Sequence, residues 1–287
     1  MKVDFFIVGA PKSGTTSLYN YLNQHHSITM SSVKEPNYFS CTEIEDQKLY
    51  YKTKHISTLD KYHSLFNFKN GSCLFGEASV SYLYYKDIAS RIKNYNEDAK
   101  IIIILRDPVE RAVSHYNMDK RLGFVKTDLK SILDDVSLKN HMLFYQQYIQ
   151  LGFYYLQVKR YIDVFGKENV CVMKYDDLNN DNKEFTNKIL GFLDLDVDNK
   201  IDFDTPYNSY KSSKNQLVNI LYSLSFARKI ISSFFPDSML KAINKSFFNK
   251  QETKISEEIE MKLYDLFHED ILLLEQMLEI DLNSWKR

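Results

Sequence analysis

Apolar positions along the chain follow two periods. Short apolar runs at Val3 to Val8, Cys73 to Phe75, Ile101 to Leu105 and Val170 to Tyr175 read as strands. The unbroken isoleucines from Ile101 to Ile104 leave no polar face, as a parallel strand covered on both sides requires. Between these runs the spacing changes to three and four residues. Leu18, Tyr21, Leu22 and His25 predict one helix, and Tyr161, Ile162 and Phe165 another. From Ser256 to Leu282 the positions Ile259, Leu263, Leu266, Phe267, Leu274 and Leu278 share a side, which predicts a long amphipathic helix or helix pair serving as scaffold. Strands alternating with helices predict an α/β fold, a single three-layer domain with a central parallel sheet over residues 1–287. Residues 41–70 and 196–255 are polar, lysine- and asparagine-rich and least regular, and are expected to fold over the sheet as insertions.

Composition narrows the classes without choosing among them. At 44% hydrophobic and 26% charged residues the chain has the make-up of a soluble globular protein. Its net charge of -1 and dispersed lysines offer no basic stripe, so no nucleic-acid partner is expected. Cys41, Cys73 and Cys171 are odd in number and far apart, which suggests neither a disulfide framework nor a zinc site and fits a reducing cytoplasm. The apolar stretch before Gly9 is too short for a signal peptide, and no run approaches the roughly 18 apolar residues of a membrane helix, so no transmembrane segment is expected. The 21 tyrosines and 19 phenylalanines are expected mainly to pack, with the lining of an acceptor cleft as the alternative.

Chemistry enters at FFIVGAPKSGTT, residues 5–16. A strand leads into Gly9, and Gly14 follows at the glycine spacing of a nucleotide-triphosphate loop, but Thr15 stands where that loop has its lysine. Lys12 lies inside the loop instead. Backbone N–H groups at a helix start form an oxyanion cradle, to which the hydroxyls of Ser13, Thr15, Thr16 and Ser17 add donors, with Gly14 allowing close approach. A lysine within the loop suits a leaving oxygen between two acidic groups rather than a terminal phosphate. A glycine-threonine turn with a surface lysine is the plainer alternative.

The second constellation is LRDPVERAVSHY, residues 105–116. Asp107 as N-cap, Pro108 as first helical residue and Glu110 as third make a capping-box start, with Val109, Ala112, Val113 and Tyr116 on the buried face. Arg106 stands at the carboxyl end of a strand, where ligands collect in open α/β sheets, and Ser114 occupies a neighbouring helical face. An arginine fork and a hydroxyl are what a separate second phosphate requires. The alternative is an arginine paired to Asp107 or Glu110.

GAPKSGTTSLYNYL followed at a distance by RDPVERAVSHY resembles the sulfotransferase family. The resemblance implies the P-loop-like sulfotransferase fold and the co-substrate 3′-phosphoadenosine-5′-phosphosulfate, with 3′-phosphoadenosine-5′-phosphate as product and no metal required. It implies that the first motif holds the 5′-phosphosulfate, with Lys12 at the bridging oxygen, and the second the 3′-phosphate. KEPNYF at 34–39 resembles the segment carrying the catalytic carboxylate of heparan-sulfate-type members, which implies Glu35 as base; the plainer alternative is that Glu35 only pairs with Lys34 or a neighbouring arginine. GEASVSYL at 76–83 resembles their next core segment, and YNSYKSSKNQL at 207–217 the late loop closing on the 3′-phosphate and adenine, through Lys211, Ser213 and Lys214. No membrane anchor like that of the Golgi enzymes is expected, which implies a closer resemblance to bacterial members. Ala78 stands where the polysaccharide enzymes often carry a lysine, and the histidine base of the cytosolic small-molecule enzymes has no convincing counterpart. Glu77 and His115 follow Glu35 as candidates for the base.

Other constellations add little. His25 and His26 are adjacent and, on one helix, would diverge rather than share a metal. Asp176 and Asp177 read as an acid pair capping the next helix rather than a magnesium site. The expected activity is sulfuryl transfer to a hydroxyl, or an amine, of a glycan or small-molecule alcohol. Two alternatives stand beside it: a small-molecule kinase with a variant loop, and a non-catalytic nucleotide-binding protein.

Overall fold

Strands β1 (Phe5–Gly9), β2 (Ile28–Met30), β3 (Leu74–Ala78), β4 (Lys100–Leu105) and β5 (Val170–Lys174) form one parallel sheet in the spatial order β2-β3-β1-β4-β5. The structure is a computed structural model and describes residues 2–51, 56–67, 74–138, 140–205 and 255–286, together with the backbone of 212–213 and 248–249. From β1 the chain runs outward to β2, whereas from β4 it runs the other way to β5. The order therefore reverses between β1 and β4, and the crevice at their carboxyl ends is where such sheets take ligands.

Alternation along the buried strands supplies two cores. Phe6, Val8, Ile101 and Ile103 face one side with Tyr82, Ile92, Ala112, Val158, Phe267 and Trp285. Phe5, Ile7, Ile102 and Ile104 face the other with Leu18, Leu22, Leu178 and Ile189. Each fully buried isoleucine contributes about 1.5–3 kcal/mol relative to exposure, so the apolar β4 run gives the central layer much of its stability. On the second face lie α1 (Thr15–Leu22), α9 (Tyr175–Asn180) and α10 (Asn182–Phe192). Among the described residues the remaining α-helices are α2 (Cys41–Gln47), α3 (Leu59–His63), α4 (Ile88–Tyr95), α5 (Pro108–Leu122), α6 (Leu129–Asp134), α7 (His141–Tyr148), α8 (Tyr155–Phe165) and α11 (Glu257–Leu278).

The pattern-based elements need four corrections. Strand β3 extends to Ala78 because Gly76 and Glu77, residues that break an apolar pattern, are both buried within it. The three-residue edge strand β2 has too little pattern to be read. Helix α1 stops at Leu22, so His25 lies beyond it. Residues 41–70 include α2 and α3, and Tyr62 of α3 is fully buried in the main core. At the other end Ser256 caps α11 by accepting from the Ile259 N–H, as a single helix.

Candidate active site

The loop after β1 is built for close approach. Ala10 N–H donates to the Ile104 carbonyl at 2.8 Å, which ties the loop to the end of β4. Gly14 is the N-cap of α1 at φ +80°, and a Cβ there would lie 2.4 Å from Leu178 Cδ2, so both backbone conformation and space demand glycine. Ser13 is fully buried, and among the described residues its Oγ has no hydrogen-bond partner. Leaving a buried hydroxyl unsatisfied costs about 1–3 kcal/mol, and an anion seated in the loop would supply the acceptor. Thr15 is buried at the helix start, with Thr16 and Ser17 half-buried behind it.

Lys12 sits in this loop at φ +69°, its Nζ 3.4 Å from the weak acceptor Sδ of Met118. Burial, followed by the positive charges of Arg121, Arg106 and Arg111, pushes its pKa down to about 8, with Asp119 opposing. Lys12 thus stands amid three arginines, of which Arg106 is itself paired to Glu110, a setting that favours an incoming anion. Arg106 stacks 4.8 Å over the Tyr175 ring and bonds to Glu110 Oε2 at 3.0 and 3.3 Å. Its Nη1 reaches the Lys12 carbonyl at 3.4 Å, which joins the two motifs. Glu110 therefore pairs with Arg106 and does not return to the N-cap as a capping box would have it. Asp107 does cap α5, accepting from Val109 and Glu110 N–H, and also accepts from the Tyr264 hydroxyl at 3.0 Å. Ser114 is half-buried one turn beyond Glu110.

The far side of α5 carries a polar stripe that pattern reading missed. Arg111, His115 and Asp119 recur every fourth residue and are all buried. Tyr50, Tyr51 and Tyr148 donate to the Asp119 carboxylate at 2.6, 2.6 and 2.9 Å. The Tyr51 hydroxyl is also 2.8 Å from His115 Nε2, and His115 Nδ1 is 3.0 Å from the Gln147 carbonyl. Burial first, then Arg111 and Lys12, hold the His115 pKa well below its ordinary value. The signal was available: three polar residues at fourfold spacing on a helix whose other side is apolar.

Glu35 follows β2 and is held at φ +61°. Pro36 biases its predecessor toward extended backbone, and that expectation fails here because the Glu35 N–H is bound to the Ala78 carbonyl at 2.8 Å. Its side chain, 40% exposed, pairs with Lys34 Nζ at 2.8 Å. Glu77 is wholly buried: Oε1 accepts from Ser79 Oγ at 2.6 Å and Oε2 from the Tyr62 hydroxyl. Burial lifts its pKa to about 7, against the lowering effect of those hydrogen bonds.

Lys211 and Lys214 lie outside the described residues. Ser213 is described only as backbone of a two-residue strand β6 (Ser212–Ser213), antiparallel to β7 (Phe248–Asn249). His25 and His26 do not share a helix, and their rings stack at 4.7 Å. With Asp198 they form a cluster within 4.8 Å, but His25 Nδ1 accepts from the Ser27 N–H at 3.1 Å and its Nε2 lies 3.0 Å from the Asp196 carbonyl, so both ring nitrogens are engaged. Asp176 and Asp177 lie in the first turn of α9, where the helix dipole favours them, while Asp181 caps α10. Among the described residues no helix is long and apolar enough to cross a membrane.

Known proteins resemble this arrangement throughout its length. Residues 2–267 match the family described as sulfotransferase domain. Carbohydrate sulfotransferase 15 of Mus musculus is 24% identical over 243 residues, covering 67% of this chain and 43% of that protein. The chain spans less than half the length of the curated relatives it matches. The crystal structure of a sulfotransferase from Alicyclobacillus acidocaldarius superimposes with a TM-score of 0.73 at 28% identity, covering 100% of both chains. Mouse sulfotransferase SULT7A1, solved in complex with PAP, shares the fold with a TM-score of 0.50 at 17% identity, covering 98% of this chain and 90% of that one.

Proposed function

The chain belongs to the sulfotransferase domain family, and from that premise we propose that it moves a sulfuryl group from 3′-phosphoadenosine-5′-phosphosulfate to a hydroxyl, or an amine, of a glycan or small-molecule acceptor. The observation that carries the choice of donor is the loop itself. It combines a buried Ser13 hydroxyl, unpartnered among the described residues, with Lys12 amid Arg106, Arg111 and Arg121. The PAP complex of the mouse relative supports the same donor.

In this reading the N–H groups and hydroxyls of Ser13, Gly14, Thr15, Thr16 and Ser17 hold the 5′ end. Arg106 exchanges Glu110 for the 3′-phosphate, with Ser114, Lys211, Ser213 and Lys214 completing that subsite. The acceptor oxygen attacks sulfur as the bond from sulfur to the bridging oxygen breaks, and the electron pair stays on the departing phosphate. Lys12 stabilises that developing charge. Glu35 takes the acceptor proton. Exposure favours Glu35 over Glu77 in this role, since Glu77 is wholly buried with both oxygens engaged.

The test is a binding titration without added metal, comparing 3′-phosphoadenosine-5′-phosphate, 5′-AMP and ATP with magnesium. The bisphosphate should bind at least about tenfold tighter than 5′-AMP, because an arginine fork on an extra phosphate contributes about 1.5–3 kcal/mol. Equal binding of the two, or strongest binding of magnesium-ATP, would replace this reading with the kinase one. A labelled-sulfate screen over glycans, phenols, lipid alcohols and metabolite alcohols then identifies the acceptor.

A further inference from the structure

Among the described residues Glu77 has no cationic hydrogen-bond partner, yet it is fully buried in the middle of the sheet. An uncompensated carboxyl in that place is costly, and an apolar residue would pack there at no such cost. What it holds lies one strand away. Ser79 Oγ donates to Glu77 Oε1 at 2.6 Å and accepts from the Asn37 N–H at 3.1 Å. Asn37 in turn donates from Nδ2 to the Glu35 carbonyl at 2.9 Å and accepts from Ser81 Oγ at 2.7 Å. The Tyr82 hydroxyl accepts from the Phe39 N–H at 3.2 Å. Glu35 and Asn37 both stand at positive φ, +61° and +52°, on either side of Pro36. Such backbone costs about 1–3 kcal/mol per residue and persists only where the surroundings over-determine it. Here the surroundings are this chain of hydrogen bonds, buried from Asn37 through Ser79 to Glu77.

We infer that Glu77 is a positioning residue for Glu35: through Ser79 and Asn37 it locks the turn over residues 34–39 in the left-handed form that sets the Glu35 carboxylate. The inference rests on the reading of Glu35 as base. It gives Glu77 a role distinct from proton transfer, and it makes the sequence separation of 42 residues between the two segments a functional coupling. The raised pKa of Glu77 agrees with a group shielded from solvent and acceptor alike.

Ser79→Ala cuts the chain between Glu77 and Asn37 while leaving the bond from Tyr62 in place. In the full chain saturated with 3′-phosphoadenosine-5′-phosphate, amide exchange at Glu35 and Asn37 should rise by at least about tenfold, with β1 and β4 amides unchanged. Affinity for the bisphosphate should stay within about twofold, and turnover on the acceptor returned by the sulfate screen should fall about tenfold. Added to Glu35→Gln, Ser79→Ala should cost less than about twofold more, because both changes disable one group. Glu77→Gln retains an oxygen to accept from Ser79 and should lose far less than Glu77→Leu; if the leucine variant fails to fold, Ser79→Ala decides. Unchanged exchange in Ser79→Ala, or losses that multiply with those of Glu35→Gln, would overturn the inference. A different result, full turnover in Glu35→Gln, would remove the base assignment beneath it.

Discussion

The loop carrying Lys12 and the turn carrying Glu35 solve the same problem by opposite means. Each presents an ionisable side chain from a non-glycine residue at positive φ, +69° and +61°, near the carboxyl ends of the adjacent strands β1 and β3. The Lys12 loop is organised by its neighbours in sequence, a strand before it and Gly14 at the helix start after it. It is polar, with a buried hydroxyl that lacks a partner among the described residues and a lysine set amid three arginines. The Glu35 turn is pinned by residues more than forty positions away and has its polar groups bonded to one another. One region is built to receive a charge that arrives from outside. The other, on the proposed reading, holds a single carboxylate in place.

The sharpest way to break this comparison is to remove the charge from each side chain in turn. Glu35→Gln keeps shape and loses basicity, so folding and affinity for 3′-phosphoadenosine-5′-phosphate should be near normal while sulfation falls by at least about a hundredfold. If Glu35→Gln retains most activity and a well-folded Glu77→Gln abolishes it, the base is misassigned although the family stands. Lys12→Ala should cost turnover about a hundredfold and donor affinity much less, because its proposed contact strengthens as charge builds on the leaving oxygen. A loss confined to affinity would reduce Lys12 to a binding residue.

The same contrast explains what the sequence made legible. The strand, loop and helix from Phe5 to Leu22, and the β4 to α5 unit around Arg106, are contiguous, so period and capping residues display them directly. Arg106, Lys12 and Ser13 were accordingly readable as candidates. The left-handed backbone at Glu35 was not, because the local rule for a residue before proline says extended and the bonds that override it come from Ala78 and Asn37. Glu77 was visible only as a charged interruption of a strand, and Asp119 only as part of a fourfold stripe. Buried polar nuclei assembled across the fold have no local period to announce them.

A smaller effect is expected from Arg106. It is bound to Glu110 and stacked on Tyr175, so in the proposed reading a 3′-phosphate would displace an existing ion pair. Arg106→Ala should erase most of the preference for the bisphosphate over 5′-AMP, about tenfold, with little change in 5′-AMP affinity. Glu110→Gln frees the guanidinium and should strengthen bisphosphate binding modestly. Calorimetry on the four combinations of variant and nucleotide reads both; an unchanged preference in Arg106→Ala would move the 3′-phosphate elsewhere.

The smallest effect is on pH, and its sign separates a receptive loop from a merely buried lysine. Lys12 titrates near 8 in the folded chain, down from 10.5, through burial and then Arg121, Arg106 and Arg111. An anion in the loop favours the charged form, so binding of 3′-phosphoadenosine-5′-phosphate takes up a proton once the free lysine is neutral. Affinity should therefore fall about fivefold from pH 8 to pH 9. Stability of the unliganded chain should move oppositely. Between about 8 and 10.5 the unfolded lysine binds a proton that the folded one does not, so this group's contribution rises with pH, is complete above 10.5 and is lost as pH falls through about 8. Lys12→Met removes both slopes, and subtracting its profile from the wild-type profile isolates the lysine from the tyrosines titrating higher. Opposed slopes in the same window would mean that the loop is held in a state its ligand relieves. Affinity flat across pH 8–9 in the wild type would mean that Lys12 does not meet the phosphate.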